Sequence, residues 1–432
     1  MASNAKRSEI ISLLSEACEL EHGLACSYLY AAFAIKQSTA EGNITWDQLQ
    51  YARRWAGQLY FIASQEMFHL SQAWNLLTAL GGTPYYGRPN FPQSHRYYPL
   101  DLPLVLEPFG ERALKRFIFY ELPEHVSDIE FLIKEFHIPK ERIQKAFTVG
   151  KLYESILNGI EQIPASELFI GDPALQVGPE VCHFNEIIKV TNHETARRAI
   201  HTITEQGEGI KNDQQNCHYG LYRDIEQEYE HMRRASAEKG LKFEPARKVI
   251  ENPMPAFYAG QIPAGANVIK NDFSAQVSVM FDNIYSLMLR MLQYVFQSGT
   301  LPNELQKTIA DGSIQLMTRV LKPIGEALTL LPSGHGNDLK CGPSFGLYRH
   351  VSFPSNFKET LYLIIEALTQ SADQCKLLSN NAVAPAQLLN AAANLVSIRT
   401  YLSDVAAMSL TEFENVVKSR SSKIETGQTI KI

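Results

Sequence analysis

The chain has 432 residues, 45% apolar and 20% charged, which excludes disordered and fibrous classes and points to two domains or one elaborated one. Lys+Arg 40 against Asp+Glu 46 gives a net charge of -6, with no basic excess to recruit nucleic acid. The start, Met1 to Arg7, runs into an amphipathic segment with no apolar signal core, and the most apolar stretch, Val277 to Phe296, is broken by Asp282, Asn283, Arg290 and Gln293. The expectation is a cytoplasmic protein with no membrane span. Cysteines at 18, 26, 182, 217, 341 and 375 form no CxxC pair, so they read as small hydrophobes rather than zinc ligands.

In chain order, apolar residues recur at steps of three and four, the helical period. The pattern predicts helices at roughly 7–38, 46–80, 110–120, 125–136, 141–162, 190–210 and 219–239. Gly81-Gly82-Thr83-Pro84 stops the second of these, as a glycine cap followed by proline should. Pro84 to Pro108, with further prolines at 89, 92, 99 and 103, reads as a crossover loop over one end of a bundle. At Glu251-Asn252-Pro253-Met254-Pro255 the chain changes character, which divides it into 1–250 and 251–432. Helices follow near 271–298, 302–331, 356–379 and 383–417, then a polar tail from Ser419. The Gly-rich run Ser333 to Phe345 lacks the flanking strand and helix of a phosphate-binding loop and reads as a capping loop. The predicted fold class is all-α, two helical bundles in tandem.

The informative feature is where acids fall. In the first helix the stripe Ile11, Leu14, Cys18, Ala25, Tyr28 contains Glu21. In the second, Trp55, Leu59, Ile62, Ala73 and Leu76 leave steps filled by Glu66 and His69. In the 141–162 segment, Ile143, Phe147, Gly150 and Leu157 make a stripe that Glu154 completes. A buried carboxylate costs several kcal/mol unless it is protonated, paired or bound to metal. Three helices that each place an acid inward suggest convergence on cations, and Glu66-x-x-His69 sets oxygen and imidazole side by side on one face. Such ligands suit iron or manganese better than zinc.

The fourth helix is irregular. Its stripe of Ala196, Ile200, Ile203 and Ile210 omits Glu205, so periodicity alone leaves that acid exposed. Gly207 and Gly209 each cost a helix about 1 kcal/mol, and the chain restarts at His218. Glu205 and His218 would stand ~20 Å apart on a continuous helix, so they share a site only if the residues between them loop out.

Glu-Leu-Glu21-His, Glu66-Met-Phe-His69-Leu, Asn75-Leu-Leu-Thr-Ala-Leu-Gly-Gly and Glu205-Gln-Gly-Glu208-Gly together resemble the ferritin-like iminophenyl-pyruvate dimer synthase family over about 10–250. Asn252-Pro253, Phe281-Asp-x-x-Tyr285-x-x-Met-Leu-Arg290 and Cys341-Gly-Pro-Ser-Phe345 look, more loosely, like the helical extension of those proteins. The resemblance implies a ferritin-like four-helix bundle holding a non-haem, carboxylate-bridged metal pair. By the family pattern, Glu21 and Glu154 come from single-Glu helices and Glu66 with His69 from an ExxH helix. The fourth helix should supply a second ExxH, and here the sequence departs: either Glu205 with a looped-in His218 completes the set, or Glu208 substitutes, or the second metal is weakly held.

The leading expectation is a di-iron oxidase or oxygenase, with two Fe ions or manganese, using O2 on a small, amino-acid-derived molecule in specialised metabolism. The electron donor is not identified and a homodimer is not required. The alternatives are oxidative coupling of imino-arylpyruvates, with haem in place of the iron pair, and an iron-binding bundle without organic substrate. The expected route for substrate is the end covered by 84–108, with Tyr97 and Tyr98, and Tyr28 inside the bundle, as candidate substrate-binding residues. His22, Tyr28 and Gln65 are candidates to orient ligands.

Overall fold

The computed structural model describes residues 6–93, 102–123, 126, 130–137, 148–209, 216–255, 262–299, 301–336 and 338–408. Two long helices carry the architecture: α1 (Arg7–Ala34) and α2 (Trp46–Ala79) pack against each other. The α2 start is fixed by a reciprocal cap, in which Thr45 Oγ1 accepts the Gln48 N–H and the Gln48 side chain accepts the Thr45 N–H. Its end is fixed at Gly81 (φ +82), where only a residue tolerant of left-handed backbone lets the Gly82 N–H return to the Leu77 carbonyl at 2.8 Å. Trp55, Leu59, Ile62, Ala73 and Leu76 are buried, as their spacing requires. From Leu20 to Ala34 every α1 residue except Leu29 is buried, so α1 is covered on all sides and not along one stripe.

The other two bundle positions are segmented. α3 (Glu111–Tyr120) is followed by α4 (Glu130–Phe136) and α5 (Val149–Glu161). After a single helical turn at Ala165–Leu168 come α6 (His193–Gly207) and α7 (His218–Glu238). α5 packs on α1 and α6, whereas α3 packs on α7, and both α6 and α7 lie against α2. The break between α6 and α7 falls where Gly207 and Gly209 weaken the helix, with Gly209 at φ +80. The predicted helix at 141–162 is described only from Thr148, whose hydroxyl caps the Lys151 N–H; Ile143 and Phe147 lie outside the described residues.

Beyond residue 250, a parallel pair of three-residue strands sets Pro253 opposite Asn267. α8 (Asp272–Val295) follows, then α9 (Asn303–Gln315), a π-helical turn (Leu316–Leu321) that interrupts the single helix expected at 302–331, and α10 (Lys322–Leu328). α11 (Phe357–Ser379) and α12 (Ala386–Ala407) form an antiparallel hairpin; the end of the predicted 383–417 helix and the polar tail lie outside the described residues. The fold is all-α. One apolar core runs across residue 250, with α10 against α1: a Cβ at Gly325 would meet the Phe33 ring at 2.5 Å, and Thr329 Oγ1 donates to the Phe33 carbonyl. Among the described residues no helix is long and apolar enough to cross a membrane.

Candidate metal centre

The helix breaks meet at one level. α3 ends beside Glu121 and α6 beside Glu208, while α5 begins near Gly150 and α7 at His218. Facing them from the unbroken helices are Glu21 on α1 and Glu66 and His69 on α2. Glu21, Glu66, His69, Glu121 and His218 are all buried, none more than 3% exposed. They form two triads that share Glu66: Glu21, Glu66 and His69, with ligand atoms within 4.8 Å of one another, and Glu66, Glu121 and His218, equally close.

Both imidazoles turn Nδ1 to the acids. His69 Nδ1 lies 3.3 Å from Glu66 Oε2 and 3.4 Å from Glu21 Oε2. His218 Nδ1 lies 2.8 Å from Glu66 Oε1 and 3.6 Å from Glu121 Oε2. At the far side of each ring, Nε2–H donates to a glutamine: His69 to Gln206 Oε1 at 3.1 Å, His218 to Gln65 Oε1 at 3.2 Å. Gln206 is itself oriented, its amide donating to Glu186. A neutral ring held in this way presents an Nδ1 lone pair to carboxylate oxygens, so a cation or a proton must lie between them.

The outer acids are gripped by phenols. Tyr153 donates to Glu21 Oε1 at 2.6 Å and Tyr28 to Glu121 Oε1. Glu208 accepts the Gly150 N–H at 2.7 Å, and a Cβ at Gly150 would meet its carboxylate at 2.4 Å, so glycine there makes room for the acid. Glu21, Glu66, His69, Glu121 and Glu208, with Leu24, Tyr153, Ile203 and Thr204 among the walls, line a cavity with room for about one water-sized molecule.

Without a cation the charge is held by protons. Burial pushes Glu21 up to about 7 against the opposing pull of His69. Burial alone would lower both imidazoles, but the bonds and charge of Glu21 and Glu66 hold His69 up to about 10, and the negative charge of Glu66 and Glu121 holds His218 up to about 9. Burial also raises Glu66, yet the positive charge of His218 leaves it below the usual carboxylate range. Glu66 Oε1 and His218 Nδ1, 2.8 Å apart, still lack hydrogen-bond geometry. Four carboxylates and two imidazoles, two of whose buried atoms are without a hydrogen-bond partner, make a donor set that fits cations.

Residues 14–227 match the family model of ferritin-like proteins. That segment of the chain is ferritin-like. Among curated relatives, the 2-imino-3-(indol-3-yl)propanoate dimerase of Chromobacterium violaceum is 27% identical over 76% of this chain and 33% of its own length. The dichlorochromopyrrolate synthase of Lentzea aerocolonigenes is 24% identical over 87% of this chain and 40% of its own. The chain thus spans about a third to two-fifths of the length of these relatives. A solved ferritin-like protein from Caulobacter vibrioides aligns with a TM-score of 0.44 at 16% identity, over 71% of this chain and 93% of that one.

Within this ferritin-like bundle, the structure gathers Glu21, Glu66, His69 and His218 and seats Glu208 at the cavity. Two expected ligands are corrected. Glu154 is exposed: α5 buries Leu152, Tyr153, Ile156 and Ile160, and the large Tyr153 and Ile156 set its phase, turning Glu154 outward. Glu205 is likewise exposed, as its periodicity indicates. The acid missed from the sequence is Glu121. It lies one step beyond Leu114, Phe117 and Ile118, all buried, so the acid-in-stripe test applied to the short helix α3 finds it. Tyr28 is no substrate wall: it is fully buried, bonded to Glu121 and packed on Phe117 and Tyr222. Tyr97 and Tyr98 lie outside the described residues. The cavity beside the cluster is walled by α5 and α6 and not by the described part of 84–108. Of the expected orienting groups, Gln65 and Tyr28 reach ligands, whereas His22 contacts Tyr86 and Tyr285.

Proposed function

We propose that this chain is an oxidoreductase that binds two metal ions, iron in the first instance, and uses O2 to oxidise a small amino-acid-derived molecule. The observation that carries the reading is the pair of triads sharing Glu66, with both Nδ1 atoms facing it. Glu66 would be common to both ions, Glu21 and His69 would hold one, and Glu121 and His218 the other, with Glu208 next to the cavity as the remaining acid. Bound iron would supply the electrons that reduce O2.

The protein's own groups prepare that chemistry. Gln65 and Gln206 hold the imidazoles as neutral ligands. Tyr28 and Tyr153 keep a proton at the outer carboxylates, and the small cavity has room for a diatomic beside them. The extension after residue 250 packs on α1. Similarity to the Chromobacterium dimerase supports an imino or keto acid from an aromatic amino acid as the substrate class, with oxidative coupling as the second reading.

The test is metal content of anaerobically Fe(II)-loaded protein by plasma mass spectrometry, with the optical spectrum followed as O2 is added. Two irons per chain and an O2-dependent band are expected. One iron or none, or a haem-type absorption in the purified protein, would overturn the reading.

A further inference from the structure

The α11–α12 hairpin leaves six large apolar side chains in solvent: Tyr362, Leu363, Leu377, Val383, Leu389 and Val396. Three of them crowd its tip, with Leu377 71% exposed, Val383 62% and Leu389 58%. From Leu377 to Ile398 no residue is charged, in a chain that is 20% charged overall. Exposed apolar surface gathered in this way marks a contact surface rather than a solvated one.

α12 is apolar on two sides. Its inner side, through Leu388, Leu395, Ile398 and Leu402, packs on α11 and on the π-helical turn. There the Asn394 amide donates to the Arg319 carbonyl at 3.0 Å and fixes the rotation of the helix. On the opposite side Ala386, Leu389, Ala393, Val396 and Thr400 follow at steps of three and four, and all are exposed. A helix apolar on both sides belongs between two partners, and the described part of the chain supplies one.

We propose that this face pairs with a second copy of the chain, the two α12 helices lying antiparallel about a two-fold axis at residue 391. Leu389 with Ala393, and Ala386 with Val396, share that midpoint, so each large side chain meets a small one on the other copy. In α11, Gln374 stands as far before the hairpin turn as Ala391 stands after it. The same axis therefore sets the exposed Asp373 of each copy beside the exposed Lys376 of the other, so the charges bordering the apolar stretch meet their opposites. α12, with 22 residues, is about 33 Å long and the hairpin about 20 Å across, so each copy would bury roughly 650 Å². Two copies reach about 1,300 Å², inside the range of specific dimers, which starts at about 1,200 Å². A lipid surface is the poorer match, because Lys376 and Arg399 at the borders are offset by Asp373 and Asp404.

The test is sedimentation velocity on the full chain between about 1 and 100 μM, where a monomer–dimer equilibrium is expected. Leu389→Glu should weaken the dimer at least tenfold with circular dichroism and melting midpoint unchanged, since residue 389 lies in solvent in the single chain. Ala393→Lys should weaken it as well. An equimolar mixture of the two variants should recover a dimer, because the axis sets the new acid on one copy against the new amine on the other. A chain that is monomeric at every concentration overturns the proposal, as does a dimer that Leu389→Glu leaves intact. Loss of the dimer with no recovery in the mixture overturns the antiparallel pairing. A monomer that binds phosphatidylserine vesicles, and no longer does so as Leu389→Glu, would assign the face to a membrane instead. Iron content enters none of these outcomes, so the metal reading stands or falls separately.

Discussion

Consecutive turns of α2 carry two buried polar pairs of opposite character. Gln72 and Asn75 are fully buried, and their amides close onto main chain: Gln72 donates to the Ile188 carbonyl and accepts its N–H, and Asn75 does the same with Val177. Every donor there meets an acceptor, and the pair clamps the segment that leads into α6. One turn earlier, Glu66 and His69 face other acids and another imidazole, with Glu66 Oε1 and His218 Nδ1 left without hydrogen bonds. Burial is the same in both; the imbalance of donors and acceptors is not. That imbalance, more than burial, separates a site that could hold a cation from a site whose polar groups are already paired.

The sharpest way to break this contrast is to delete one member of each pair. Glu66→Ala should abolish binding of both ions, since it belongs to both triads, and metal content by mass spectrometry should fall from two per chain to near zero. Asn75→Ala should leave metal content at two but cost roughly 2–4 kcal/mol in denaturant unfolding, because it strands a buried N–H and a buried carbonyl. If Asn75→Ala also stripped the metal, the two turns would not be independent.

A smaller effect is expected at the glutamines. Gln206→Leu or Gln65→Leu should weaken metal binding roughly 10–100-fold in a chelator competition without preventing folding. Glu154→Ala and Glu205→Ala, on exposed faces, should change neither metal content nor stability by more than about 0.5 kcal/mol.

The proton-held state has its own signature. Glu21, His218 and His69 all have folded pKa values above their ordinary ones, so the metal-free protein binds extra protons when folded. The stability this contributes is present below the ordinary pKa of each group and lost as pH rises through the folded one. For Glu21 the window runs from 4.5 to about 7, for His218 from 6.5 to about 9 and for His69 from 6.5 to about 10. Glu66, held below 4.5, acts in the other direction only in acid. Thermal melts of metal-free protein should therefore fall from pH 4.5 toward 10, whereas metal-loaded protein should hold its midpoint, since ions replace the protons. Parallel pH profiles would argue against a cation site.

The legible part of the site lies on the helices that run unbroken through it. On α1 and α2 one phase holds from the cap onward, so the positions of Glu21, Glu66 and His69 in the apolar stripe already say that they face inward. Periodicity on α6 likewise leaves Glu205 exposed, and the expectation that it is a ligand came from the family pattern. The third and fourth positions resist that reading because each is two helices, and every new cap resets the phase. α5 starts at Thr148 and takes its register from Tyr153, Ile156 and Ile160, which turns Glu154 out; α3 ends on Glu121, which fills the place expected of Glu154.

What the amino-acid pattern by itself determined is the helical class, the caps that bound α2, and three ligand candidates on two long helices, all consequences of local period and local backbone preference. Only the tertiary structure decided that Glu121 and His218, 97 residues apart, share Glu66, and that Tyr285 reaches His22 across 263 residues. Such pairs are set by which helices pack together, and no local period encodes that.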